Sequence, residues 1–175
     1  MVSENYKKIE SKAFWYLERY ASSSKNLKDY LKKKVRDTEL NQDSEIIINQ
    51  IVVNLEKQNI LNDRIFSEIK SRTFINKGWS LSKIKFRLKH LGVDSDTIEY
   101  CIDNIVAEES NIELIAASKL VKKRSLGPYR RKELDEKLKN KEYGILARAG
   151  FNYTLAKKLL NDLPVEEIEE IINNY

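Results

Sequence analysis

Two short segments of this chain are near copies of one another, and they limit what it can fold into more than any other feature. Leu91-Gly92-Val93-Asp94 and Ala149-Gly150-Phe151-Asn152 lie 58 residues apart. In each, glycine suits the left-handed residue that closes a helix, the following apolar residue can fold back onto that helix, and Asp or Asn can cap the next one. The offset extends beyond the junctions: Leu88 maps onto Leu146, Cys101 onto Leu159, Ile102 onto Leu160 and Ile105 onto Leu163. A helical unit is therefore repeated in tandem. About 50 residues earlier, Ile48, Val52 and Leu55 match Ile98, Ile102 and Ile105, which marks a further copy whose linker, Arg36 to Ser44, lacks the glycine junction.

Apolar residues at three- and four-residue spacing carry the same message. One stripe joins Tyr6, Ile9, Ala13, Tyr16, Leu17 and Tyr20, and others join Leu27, Tyr30, Leu31 and Val35, then Ile48, Ile51, Val52 and Leu55. They continue through Leu81, Ile84, Leu88 and Leu91, then Ile98, Cys101, Ile102, Ile105 and Val106, then Leu155, Leu159, Leu160 and Leu163. No alternating run is long enough for a strand, and 5 Gly and 2 Pro in 175 residues are too few turn formers for a sandwich or barrel. Helices are expected over 4–21, 24–36, 44–58, 63–76, 80–91, 95–107, 111–125, 129–148, 152–162 and 165–173. The expected fold is all-α: three tandem three-helix repeats, at 1–60, 61–109 and 110–163, in an elongated, curved array, with a short extra acidic C-terminal helix at 164–175.

Several kinds of chemistry lack their residues. Cys101 is the single cysteine and lies on an apolar stripe, which makes it a buried small hydrophobe and leaves no disulfide or thiolate metal site to build. His90 is the single histidine, placed at a helix C-terminus where it favours the dipole, so no multi-histidine metal site can form. Neither GxxxxGK[ST] nor GxGxxG occurs. Glu166, Glu167, Glu169 and Glu170 suit a solvated face of the last helix better than a carboxylate pair. No cofactor, no metal and no enzymatic activity are expected. The segment MVSENYKKIESKAF has no apolar core of a signal peptide, and no apolar run approaches the ~20 residues of a membrane span. A cytoplasmic monomer without membrane contact is the simplest expectation.

The charge is arranged in blocks. Seven cations and no acid fall between Lys70 and Lys89, seven acids and no cation between Val93 and Glu113, and seven cations again between Lys119 and Lys132. The last fourteen residues hold five acids and no cation. Such blocks can be helix faces that pair with their neighbours, or basic stripes that track a phosphate backbone or an acidic groove. The second reading nominates Arg72, Lys77, Lys83, Lys85, Arg87 and Lys89, together with Lys122, Lys123, Arg124, Arg130, Arg131 and Lys132. Three aromatics stand out beside them. Trp15 projects away from its helix's apolar stripe, either to pack under another repeat or to anchor a partner. Trp79 precedes the cap Ser80, either to staple onto Ile84 or its neighbour or to anchor a partner, and Tyr129, beside Arg130, has the same two readings.

Read in order, several segments resemble the RecX family of bacterial RecA regulators. They are Ala13-Phe14-Trp15-Tyr16-Leu17 followed by Leu27 and Leu31, Asn59-Ile60-Leu61-Asn62-Asp63-Arg64-Ile65-Phe66, Lys77-Gly78 through Ile84, Leu88 and Gly92-Val93, and Arg148-Ala149-Gly150-Phe151-Asn152-Tyr153. Asn59 stands where the family usually has Gly, and Trp79-Ser80 where it often has Gly-Pro. The resemblance implies three tandem three-helix repeats and a protein without catalytic activity. It implies binding in the helical groove of the RecA-DNA filament, limiting filament extension, ATP hydrolysis, strand exchange and co-protease activity in DNA repair and the SOS response. Single- or double-stranded DNA would be a further contact. The competing expectation is a general nucleic-acid-binding protein that acts without RecA, with Lys85, Arg87 and Lys89 entering a groove.

Overall fold

The computed structural model describes residues 4–36 and 44–175, so the linker at 37–43 lies outside the described residues. Among the described residues there are ten α-helices and no strand, which makes the fold all-α. They are α1 (Glu4–Leu17), α2 (Ser24–Arg36), α3 (Ser44–Lys57), α4 (Asp63–Asn76), α5 (Leu81–His90), α6 (Ser95–Glu108), α7 (Ile112–Arg124), α8 (Glu136–Arg148), α9 (Tyr153–Lys157) and α10 (Val165–Asn173). A 3-10 turn at Gly127–Tyr129 separates α7 from α8, and α9 widens into a π-helical segment at Lys158–Asp162.

Both junctions singled out in the sequence form as expected. Gly92 and Gly150 take φ of +82° and +93°. Val93 N–H donates to the Leu88 carbonyl and Phe151 N–H to the Leu146 carbonyl, each at 3.1 Å, which closes the helix behind. Asp94 then accepts from Thr97 N–H and Asn152 from Leu155 N–H, both at 2.8 Å, which opens the helix ahead. The same six-residue closure recurs at Gly78, Asn59 and Ser125, where Trp79, Ile60 and Leu126 N–H groups donate to Phe74, Leu55 and Val121 carbonyls. Asn59 and Ser125 hold φ of +56° and +51°, so both turns form without glycine.

Two helix ends depart from expectation. The first helix stops at Leu17 rather than 21, because Ser23 is already engaged as the cap of α2, its Oγ accepting from Asn26 N–H. Tyr20 consequently lies beyond the helix, 54% exposed, and is not part of the apolar stripe. The eighth helix begins at Glu136 rather than 129. Gly127-Pro128 winds Tyr129 into the 3-10 turn, and Asp135 caps α8 by accepting from Leu138 N–H at 2.6 Å.

The chain divides into two compact units. The first comprises residues 1–68 and 88–98. Its core packs Ile9 and Ala13 of α1, Leu27, Leu31 and Val35 of α2, and Ile48, Ile51, Val52 and Leu55 of α3 over Leu61. Full burial of each large aliphatic side chain there contributes ~1.5–3 kcal/mol. Ser23 Oγ donates to the Leu91 carbonyl and ties the end of α5 to the start of α2. The second unit comprises residues 69–87 and 99–175. Its central element is α7, buried on most sides through Ile112, Ile115, Ala116, Ala117, Ser118, Leu120 and Val121. The small side chains at 116–118 let neighbouring helices approach closely. Cys101 is buried as its stripe position implied, with Sγ 3.7 Å from Ser71 Oγ.

Candidate functional site

The site is assembled in the second unit where the α4–α5 turn meets α7 and the end of α8. A Cβ added to Gly78 would lie 2.6 Å from Leu120 Cβ and 2.9 Å from Leu120 Cα, so only glycine lets this turn rest on α7. Ser80 then fixes the start of α5 twice: its N–H donates to the Ala149 carbonyl at 3.2 Å, and its Oγ accepts from Lys83 N–H. Glu113, on the first turn of α7, accepts from Leu81 N–H at 2.7 Å. Burial raises the Glu113 carboxyl above the usual range, opposed by that backbone hydrogen bond.

Around this turn lies a cleft of about 400 Å³ lined by Lys77, Trp79, Lys83, Leu120, Lys123, Arg124, Ile145 and Arg148, with Gly78 and Ala149 completing the wall. Five of the lining residues are cations and none is an acid. Among the described residues, none of the five is in an ion pair. Trp79 stacks on Phe74 with centroids 4.5 Å apart and planes 6° apart, the apolar contact that accompanies this kind of helix closure. With one indole face covered, Lys83 Nζ lies 4.6 Å over the ring and also donates to the Arg148 carbonyl at 3.4 Å. Lys77 Nζ lies 5.8 Å from the Phe74 ring.

A second cleft of about 350 Å³ shares Arg124 and Ile145 with the first and adds Arg130, Arg131, Lys132, Leu138, Lys141 and Glu142. Arg130 turns inward. Its Nη2 donates to Glu142 Oε2 at 2.9 Å and to the Leu160 carbonyl at 3.3 Å, and its Nε donates to Glu142 Oε1 at 3.3 Å. Glu142 is only 2% exposed, so this arginine neutralises a buried carboxylate.

Of the twelve cations nominated from the sequence, Lys77, Lys83, Lys123 and Arg124 converge in the first cleft, while Arg130, Arg131 and Lys132 line the second. Arg72, Lys85 and Lys122 instead pair with Glu108, Glu99 and Glu169, as neighbouring helix faces would. Arg87 and Lys89 lie on α5 outside both clefts, and Lys89 belongs to the first unit. The sequence missed Arg148 and Lys141. Arg148 sits within the Ala149-Gly150 junction motif, but nothing in periodicity aims it at residues some 65 positions earlier.

The remaining aromatics are placed as follows. Trp15 is 48% exposed, stacked on Tyr30 at 6.5 Å with the Arg19 guanidinium 4.3 Å over its ring. Tyr129 donates its hydroxyl to Glu169 at 2.8 Å, and burial, followed by that bond and the carboxylate charge, pushes its phenol up to about 12. Glu169 is therefore engaged rather than merely solvated, and its carboxyl is held low by Lys122 first and Tyr129 second. His90 ends α5, exposed. Among the described residues no group of His, Cys, Asp and Glu side chains could hold a metal ion, and no helix is long and apolar enough to cross a membrane.

Helices closed by left-handed turns, carrying adjoining cationic clefts, define an all-α protein with a surface suited to a polyanion. Comparison with known proteins narrows this. Over 114 residues the chain is 34% identical to the regulatory protein RecX of Agrobacterium fabrum, an alignment covering 65% of this chain and 58% of that protein. Over 169 residues it is 28% identical to the regulatory protein RecX of Myxococcus xanthus, covering 93% and 88%. The crystal structure of RecX from Lactobacillus salivarius shares its fold with a TM-score of 0.65 at 20% identity, over 98% of this chain and 99% of that one. A second RecX crystal structure gives 0.63 at 18%, over 98% and 73%. No protein-family model matches the chain. In sequence the chain is similar to RecX regulatory proteins, and it shares their fold.

Proposed function

We propose that this chain regulates a RecA-type recombinase by binding the filament that the recombinase forms on DNA. Its main effect is inhibitory: less filament extension, ATP hydrolysis, strand exchange and co-protease cleavage during DNA repair and the SOS response. Similarity to RecX regulatory proteins supports this reading, and the observation that carries it furthest is the convergence of Lys77, Lys83, Lys123, Arg124 and Arg148 on one acid-free cleft. Cations arranged in this way steer association with an acidic groove or DNA phosphate and set register more than they add affinity. The protein acts as a cytoplasmic monomer, with Arg72, Lys85, Arg87, Lys89, Lys122, Arg131 and Lys132 as outlying contacts.

The test is recombinase ATPase on single-stranded DNA with increasing amounts of this protein. Inhibition well below one protein per recombinase protomer is expected, and Lys83→Glu with Lys123→Glu should abolish it while far-ultraviolet circular dichroism stays unchanged. Undiminished ATPase at equimolar protein, together with tight and salt-sensitive DNA binding by the protein alone, would overturn the reading in favour of a general nucleic-acid binder.

A further inference from the structure

We propose that the Trp79 cleft is a binding site for single-stranded nucleic acid, in which Lys83 is a displaceable cover over the indole and the other cleft cations grip the flanking phosphates. Phe74 occupies one face of Trp79, so the face beneath Lys83 is the only one a ligand ring can use. What holds Lys83 there is weak: a cation–π contact and one long hydrogen bond to the Arg148 carbonyl, with no carboxylate. A phosphate entering between Lys83, Lys123 and Arg148 offers the ammonium a full negative charge. As Lys83 swings to it, the indole is uncovered and a base can stack in its place.

The stacking requirement selects the ligand class. Bases of a duplex are already stacked on one another, whereas those of a single strand are free to meet an aromatic side chain. An acidic protein segment would use the cations but has no need of the indole. The shared Arg124 continues the cationic path toward Arg131, Lys132 and Lys141, which gives a strand somewhere to run beyond the first base.

The proposal goes beyond the filament reading, and its test contains no recombinase, so either can fail while the other stands. The full-length chain carrying Trp15→Phe retains Trp79 as its sole indole. It is titrated with oligo(dT), a duplex of the same length and a poly-glutamate peptide, following indole emission and, for affinity, anisotropy of labelled ligand. Oligo(dT) is expected to quench Trp79 to saturation, with log affinity falling against log salt at a slope of about −3 for four or five phosphate contacts. Lys123→Gln or Arg148→Gln should weaken binding and flatten the slope by about 0.7 each. Trp79→Leu should weaken it about tenfold with the slope unchanged. Because Trp79→Leu also removes the stack on Phe74, the surface variants at Lys123 and Arg148 carry the test if it fails to fold. Oligo(dT) binding without quenching, or poly-glutamate or duplex binding as tightly as oligo(dT) with the same quench, would overturn the assignment.

Discussion

Arg130 belongs to the block of cations that the sequence nominates for partner binding, yet the fold turns it inward, and Arg130→Met separates the two roles. Its side chain is 22% exposed while that of Glu142 is 3% exposed. Removing the guanidinium leaves a buried carboxylate with no counter-charge and the Leu160 carbonyl without a donor. Breaking a fully buried pair from one side costs ~3–5 kcal/mol, and the partial exposure of Arg130 places this one at the lower end, about 3 kcal/mol. For a chain of this length that corresponds to a fall in Tm of roughly 6–12 °C. Adding Glu142→Leu to Arg130→Met removes the stranded charge and should restore all but about 1 kcal/mol. Urea denaturation followed by circular dichroism at pH 7 measures all three proteins, with Arg131→Met as a surface control that should shift stability by less than about 0.5 kcal/mol. A loss below about 1 kcal/mol for Arg130→Met, or no recovery in the double variant, would refute the structural role assigned to the pair.

Gly78→Ala should destabilise by about 2–4 kcal/mol, the sum of a left-handed residue with a Cβ and its overlap with Leu120, measured by the same denaturation. Asn59→Gly and Ser125→Gly act in the opposite sense: each relieves a non-glycine residue held at positive φ and should raise stability by up to about 1 kcal/mol, read as a higher urea midpoint at unchanged m. At Glu113 the folded carboxyl lies above its ordinary value through burial, so its contribution is full below the unfolded pKa and is lost as pH rises through the folded one. Glu113→Gln should therefore flatten the pH profile just above pH 4.5 while staying within about 0.5 kcal/mol of the parent at pH 7, whereas Glu113→Ala loses the acceptor for Leu81 N–H and costs about 1 kcal/mol.

The junctions at Gly92 and Gly150 were legible because closure and cap are both local: glycine, an apolar residue and Asp or Asn follow one another in the chain. The equivalent turns at Asn59 and Ser125 were not, since neither residue type announces a left-handed conformation. Helix α7 showed no stripe because burial on most of its surface erases the contrast that periodicity detects. For the site, charge blocks picked out Lys77, Lys83, Lys123 and Arg124 but could not separate them from Lys85, Arg72 and Lys122. The acids that pair with those three lie 14, 36 and 47 residues away in sequence, beyond any local pattern. The inward turn of Arg130 was hidden for the same reason, because Glu142 is buried only once α8 packs.

The cleft draws on three stretches of chain, 77–83, 120–124 and 145–149. The α1–α3 core, by contrast, has all of its residues by Leu61. On a translating ribosome, where folding proceeds from the N-terminus, the first core can condense before any wall of the cleft has been made. The cationic cleft has no walls until Arg148 and Ala149 have emerged. Products of interrupted synthesis, and fragments nicked in the segment before α8, thus carry the lysines of α5 without the surface that gives them a common target. A chain of this design presents its charge as a site only after residue 149 has been made.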